Sequence, residues 1–126
     1  MSSKEKMLIG SQAIDDARNN AKINGFDNAE FFVGKAEEVL PEQYEVNHVY
    51  ADVIVVDPPR KGSDKPFLDA LKKLSPRKVV YISCNPHTQV EDLKHLLNQY
   101  KITKIQPVDM FPQTAHVESC VLLCRE

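Results

Sequence analysis

Two short apolar runs, each ended by a turn, constrain this chain more than any other feature. The segment Asp52 to Val56 runs apolar without alternation after its opening aspartate and is closed by Asp57-Pro58-Pro59. Val79 to Ile82 does the same and ends on Ser83-Cys84 and the turn dipeptide Asn85-Pro86. Continuous runs of this length read as parallel strands buried on both faces. Proline closes the first because it supplies no donor to a ladder. Between them, Pro66 to Leu74 places Phe67, Leu68, Leu71 and Leu74 at helical spacing. Strand, helix and parallel strand form one crossover unit.

The flanking sequence extends the alternation. Residues 11–24 predict an amphipathic helix with Ser11 as N-cap, an apolar stripe of Ala13, Ile14, Ala17 and Ala21, and a stop at Asn24-Gly25. Ala29 to Val33 is a short strand, and Ala36 to Leu40 a single helical turn before Pro41. Lys78 to Ser83 is the full extent of the second central strand. Thr88 to Asn98 predicts a helix with Val90, Leu93, Leu96 and Leu97 inward. Ile102 to Val108 and Val117 to Leu123 are two last strands that could pair antiparallel. The expected class is α/β, a mostly parallel sheet with helices on both faces.

The 126 residues suit one domain, and no apolar run approaches the roughly 20 residues that span a bilayer. Cys84, Cys120 and Cys124 are odd in number and lack CxxC spacing, so neither a disulfide framework nor a zinc site is indicated. A cytoplasmic location fits that usage. The net charge of −2 argues against a general nucleic-acid binder, but its distribution is uneven. Residues 1–57 carry 5 basic and 11 acidic side chains, whereas residues 58–78 carry 7 basic and 2 acidic. That basic block, Arg60, Lys61, Lys65, Lys72, Lys73, Arg77 and Lys78, is either a phosphate-facing surface or a solvated helix face.

Chemistry concentrates at three loops. Asp57 is held by two prolines at a strand end, where open α/β sheets bind ligands. Cys84 sits at the tip of the next strand; it is either a small core residue or a nucleophile whose thiolate attacks an electron-poor carbon. The connection from Asp109 to Glu118 is long for a hairpin and holds His116 and Glu118. Glu118 opens an apolar strand and could accept a proton; His116 could be a base, a substrate contact or a loop residue. A cysteine with a histidine also allows thioester chemistry, and spacing alone does not separate these readings.

Three motifs in register narrow the choice: Asp57-Pro58-Pro59-Arg60-Lys61-Gly62, Tyr81-Ile82-Ser83-Cys84-Asn85-Pro86, and Asp109-Met110-Phe111-Pro112-Gln113-Thr114-Ala115-His116-Val117-Glu118. Together with residues 13–25 and 34–38 they resemble the C-terminal part of the S-adenosylmethionine-dependent RNA (uracil-C5)-methyltransferases, which act on rRNA or tRNA. The resemblance covers about residues 11–125. It implies a class I, Rossmann-like methyltransferase sheet with an antiparallel last strand. It also implies Cys84 as the nucleophile at uracil C6 and Glu118 as the base that removes the C5 proton. Asp57 would lie between methyl donor and uracil. Pro58, Arg60, Asn85, Pro86 and His116 would bind substrate or support the loops. No metal is implied.

The chain also departs from the family pattern. Its 4 glycines are scattered, so no glycine-rich cofactor turn is present, and the acid expected for the cofactor ribose would fall at Leu8. Residues 1–10 are therefore expected to be an unmatched leader, and residues 11–126 the C-terminal part of a catalytic domain lacking its first two strands. The cofactor site would be mostly missing. The expectation is a fragment that is inactive alone and prone to self-association through unpaired strand edges. The alternative is a non-catalytic RNA- or protein-binding remnant. An amino-group methyltransferase is disfavoured, because Arg60 stands where such enzymes need an aromatic residue after Asp-Pro-Pro.

Overall fold

The computed structural model describes residues 5–9, 11–27, 29–34, 36–48, 50–109 and 118–126. The chain divides after Asn47 into two compact units.

In the first unit, β1 (Glu5–Ile9) and β2 (Ala29–Val33) pair in parallel, from Glu5 opposite Ala29 to Ile9 opposite Val33. Helix α1 (Ser11–Ile23) connects them and α2 (Ala36–Glu45) follows. The sequence reading places no strand ahead of Ser11. The apolar Met7-Leu8-Ile9 forms one because β2 offers it a ladder. At the end of α1, Phe26 N donates to Ala21 O at 2.9 Å and Gly25 N to Lys22 O at 3.2 Å. This paired cap needs a left-handed residue, and Gly25 supplies it at φ +73°. Helix α2 does not stop at Pro41. Pro41, the sixth of its ten residues, gives up one ladder bond, and the turns beyond it still close, with Val46 N donating to Glu42 O at 2.9 Å.

The second unit carries the three motifs. Strands β3 (Val53–Val56), β4 (Lys78–Ser83), β5 (Tyr100–Val108) and β6 (Glu118–Arg125) form one mixed sheet in the order β3-β4-β6-β5. The β3–β4 pair is parallel, with Val56 opposite Tyr81. The β4–β6 and β5–β6 pairs are antiparallel, and the latter slips by one residue between Ile102 and Lys104. Helix α3 (Lys65–Leu74) makes the crossover from β3 to β4, and α4 (Pro86–Leu96) leads from β4 to β5.

Both helices feed one core cluster. Leu71, Leu93 and Leu96 pack with Val56, Val79, Tyr81, Tyr100, Val121 and Leu123. Alternation along β4 sends Val79, Tyr81 and Ser83 into this core. Two expectations need correction. First, β3 is not buried on both faces: it is an edge strand within its sheet, and Val55 is 61% exposed on the face away from the core. Second, α4 does not turn Val90 and Leu97 inward. Both are exposed, and the buried stripe is Gln89, Asp92, Leu93 and Leu96. These polar residues displace Val90 because the strand and loop beneath α4 present donors and acceptors that only polar side chains can satisfy.

Candidate active site

The strand directions set the site. Parallel β3 and β4 end at the same edge of the sheet, and antiparallel β6 begins there. Asp57 is the residue after β3, Cys84 the residue after β4, and Glu118 the first residue of β6. The last ladder pair is Ser83 with Ser119, so Cys84 and Glu118 are the next residues along their adjoining strands. Neighbouring strands lie about 4.8 Å apart. All three groups are thus brought to one edge: Glu118 is directly across from Cys84, and Asp57, level with Ile82 because Val56 pairs with Tyr81, stands two residues short of the cysteine on its other side. Cys84 and Glu118 are half-buried and Asp57 is exposed. His116 lies outside the described residues.

The turn that carries Cys84 is tied on both sides. Ser83 Oγ donates to Asn85 O at 2.9 Å and accepts from Asn85 N at 3.0 Å. Asn85 then caps α4, its Oδ1 accepting from His87 N at 3.1 Å, and Pro86 occupies the first turn, where a missing amide proton costs nothing. Cys84 therefore precedes the amino end of a helix, where the dipole favours negative charge.

The Asp57 loop is anchored to the same helix. Asn85 Nδ2 donates to Arg60 O at 3.2 Å, and Thr88 Oγ1 lies 3.0 Å from the same carbonyl. The Arg60 carbonyl thus ties the loop to α4. Gly62 N donates to Pro59 O at 2.9 Å and closes the turn. Ser63 N donates to Asp92 Oδ2 at 2.8 Å, and the Tyr81 hydroxyl donates to that same oxygen. Burial and the bond to Asp92 both hold the Tyr81 phenol well above its ordinary range. On the other side, Gln89 Nε2 donates to Tyr81 O and to Ser119 O, each at 3.2 Å, bridging β4 to β6 beneath Cys84 and Glu118. The motif reading singles out Asp57, Cys84 and Asn85 but misses Tyr81, Gln89 and Asp92. Their signal is spacing: Gln89 and Asp92 fall at i, i+3 in register with Leu93 and Leu96.

The basic block is not one surface. Arg60 and Lys61 lie in the site loop and Lys65 opens α3, while Lys72 and Lys73 lie in its last turn, roughly 10 Å along the helix, and Arg77 and Lys78 follow it. Among the described residues, no cluster of three or more His, Cys, Asp or Glu could hold a metal ion, and no helix is long and apolar enough to cross a membrane.

A family model described as tRNA (Uracil-5-)-methyltransferase matches residues 7–126, a span that includes Met7, Leu8 and Ile9 of β1. A Listeria innocua protein described as an uncharacterized RNA methyltransferase is 52% identical over 116 residues, covering 91% of this chain and 25% of that protein. A Lactobacillus johnsonii protein of the same description is 54% identical over 120 residues, covering 94% of this chain and 26% of that protein. The chain thus spans about a quarter of the length of these relatives. The crystal structure of Pyrococcus abyssi tRNA (uracil-54, C5)-methyltransferase in complex with S-adenosyl-L-homocysteine superposes with a TM-score of 0.79 at 37% identity, over 95% of this chain and 28% of that one. A Streptococcus thermophilus rRNA methylase superposes with a TM-score of 0.70 at 12% identity over 97% of this chain and 73% of that one, a likeness of fold alone.

Proposed function

Because this chain belongs to the tRNA (uracil-5-)-methyltransferase family, we propose that it carries the pyrimidine-activating half of an RNA uracil-C5 methylation site. Its fold is the Rossmann-like α/β fold of S-adenosylmethionine-dependent methyltransferases. The observation that carries the proposal is the placement of Cys84 between Asp57 and Glu118 at one sheet edge.

C5 of uracil is a weak nucleophile until C6 is attacked. Sγ of Cys84 forms a bond to C6, and the π pair of C5=C6 moves toward C5 and the C4 carbonyl oxygen. Once C5 has gained a substituent, Glu118 takes the original C5 proton. The electron pair of that C–H bond restores C5=C6 and expels the thiolate. Glu118 stands on the strand beside Cys84, which suits a proton transfer next to the carbon–sulfur bond. Arg60, Lys61 and Lys65 are exposed at this edge and suit RNA phosphates. Pro58, Pro86 and His116 are assigned to shaping the uracil pocket.

S-adenosylmethionine would supply the methyl group. The described residues fit that donor only in part. Asp57 offers a carboxylate at the strand end, but the 4 glycines of the sequence stand apart and build no glycine-rich backbone cradle. The steps assigned to this chain are therefore those that need no donor.

Exchange of the uridine C5 hydrogen isolates these steps. The chain is incubated in D2O with a short uridine-containing RNA, and nuclease digests are read by mass spectrometry. Deuterium at C5 is expected with the wild type, with none above background for Cys84→Ala. For Glu118→Gln the exchange is expected to fall by roughly a hundredfold or more. Exchange that persists in Cys84→Ala would overturn the assignment. Salt-dependent RNA binding without exchange, indifferent to Cys84→Ala, would favour the binding-remnant reading.

A further inference from the structure

One carboxylate oxygen joins the loop, the strand and the helix that frame the site. Asp92 of α4 is only 7% exposed. Its Oδ2 takes the Ser63 amide, at the end of the loop that Asp57 begins, and the hydroxyl of Tyr81, three residues before Cys84. Gly62 is pressed against the same group. A Cβ there would stand 3.1 Å from Asp92 Oδ2 and 3.2 Å from Thr88 Cβ, and its φ of +90° already favours glycine. The close approach follows from the missing side chain: only glycine lets the loop come down far enough for Ser63 to reach Asp92.

A buried carboxylate is tolerated when donors satisfy it. Here one donor comes from the sheet and stays put, while the other comes from a loop that must be seated to supply it. Asn85 and Thr88 hold the middle of that loop through Arg60 O, and Asp92 holds its end.

We propose that Asp92 is a positioning residue: it fixes the Asp57–Ser63 loop against β4 and thereby sets Asp57 relative to Cys84. The proposal rests on the reading that Asp57 and Cys84 serve one reaction. Its test needs no substrate, so a failure of uridine exchange and a failure of this proposal remain separate results. Amide hydrogen exchange is followed by NMR in the full 126-residue chain for the wild type, Asp92→Ala and Asp92→Asn. In Asp92→Ala, exchange at Ser63 is expected to accelerate roughly tenfold to a hundredfold beyond any acceleration at Val79 and Val121. Asp92→Asn keeps a neutral oxygen in place and is expected to fall between the two. If the alanine variant does not fold, the asparagine variant carries the same comparison alone. An acceleration at Ser63 no larger than that at Val79 would reduce Asp92 to a core-stabilising group and overturn the proposal.

Discussion

Helices α3 and α4 feed one core, but they bury different kinds of side chain. α3 contributes Leu68, Ala70 and Leu71, and nothing polar on it is buried. α4 contributes Leu93 and Leu96 together with Gln89, 3% exposed, and Asp92. The polar pair points at what must be held still: the Ser63 end of the Asp57 loop, and the β4 and β6 carbonyls beneath Cys84 and Glu118. Apolar burial stabilises without direction, whereas hydrogen bonds fix position. The difference separates a helix that holds the sheet together from one that also holds the site.

That comparison can be broken from either side. The largest effect is expected on the apolar side, where Leu71→Ala should cost about 2–5 kcal/mol in urea denaturation. The rate of uridine C5 exchange per folded molecule should hardly change. A rate loss beyond the loss of folded protein would show that α3, too, positions the site. Gln89→Leu conserves bulk but leaves two buried carbonyls without this donor, and should cost about 1–3 kcal/mol. Unlike Leu71→Ala it should also slow C5 exchange, because the β4–β6 bridge lies under both reacting groups. Equal exchange rates would make Gln89 mere filler.

The smallest effect is expected from Tyr81→Phe, about 1 kcal/mol at neutral pH. It has a sharper signature in alkali. The phenol of Tyr81 is held above the value of about 10 that it has in an unfolded chain. Its contribution is therefore fully present below pH 10 and is lost as the pH rises through the folded value. Denaturation midpoints followed upward from pH 9 should fall more steeply for the wild type than for Tyr81→Phe. Parallel curves would mean that the hydroxyl gains nothing from Asp92. Tyr100, also raised by burial, contributes in both proteins and cancels from the comparison.

The same contrast explains what could be read from the sequence. Lys78–Ser83 is found with its predicted boundaries, and α3 lies within a residue of them, because apolar spacing alone determines both. Asp57, Cys84 and Glu118 were legible as motif residues, and the strand directions bring them to one edge. Gln89 and Asp92 carried only the spacing they share with Leu93 and Leu96: a polar residue on a helix reads as surface until its partner is known, and Ser63 lies 29 residues from Asp92 in sequence. Val90 was misread for the same reason. The exposure of Val55 was not visible either, since an unalternating run looks the same at a sheet edge as at its centre. Strand β1 was missed because parallel pairing depends on β2, which comes only after a whole helix.

The paired bonds between Ser83 and Asn85 have a consequence for Cys84 itself. With Ser83 fixed in the β4 ladder and the Asn85 amide held by the Ser83 hydroxyl, the thiol retains a single heavy-atom torsion, χ1. Its search for a reactive orientation is a choice among three staggered wells, and confining it to one costs on the order of RT ln 3, about 0.6 kcal/mol. A cysteine on a free loop would also have to freeze its backbone, at roughly 1–2 kcal/mol for each residue ordered. Folding has therefore already met most of the entropic cost of aiming the sulfur.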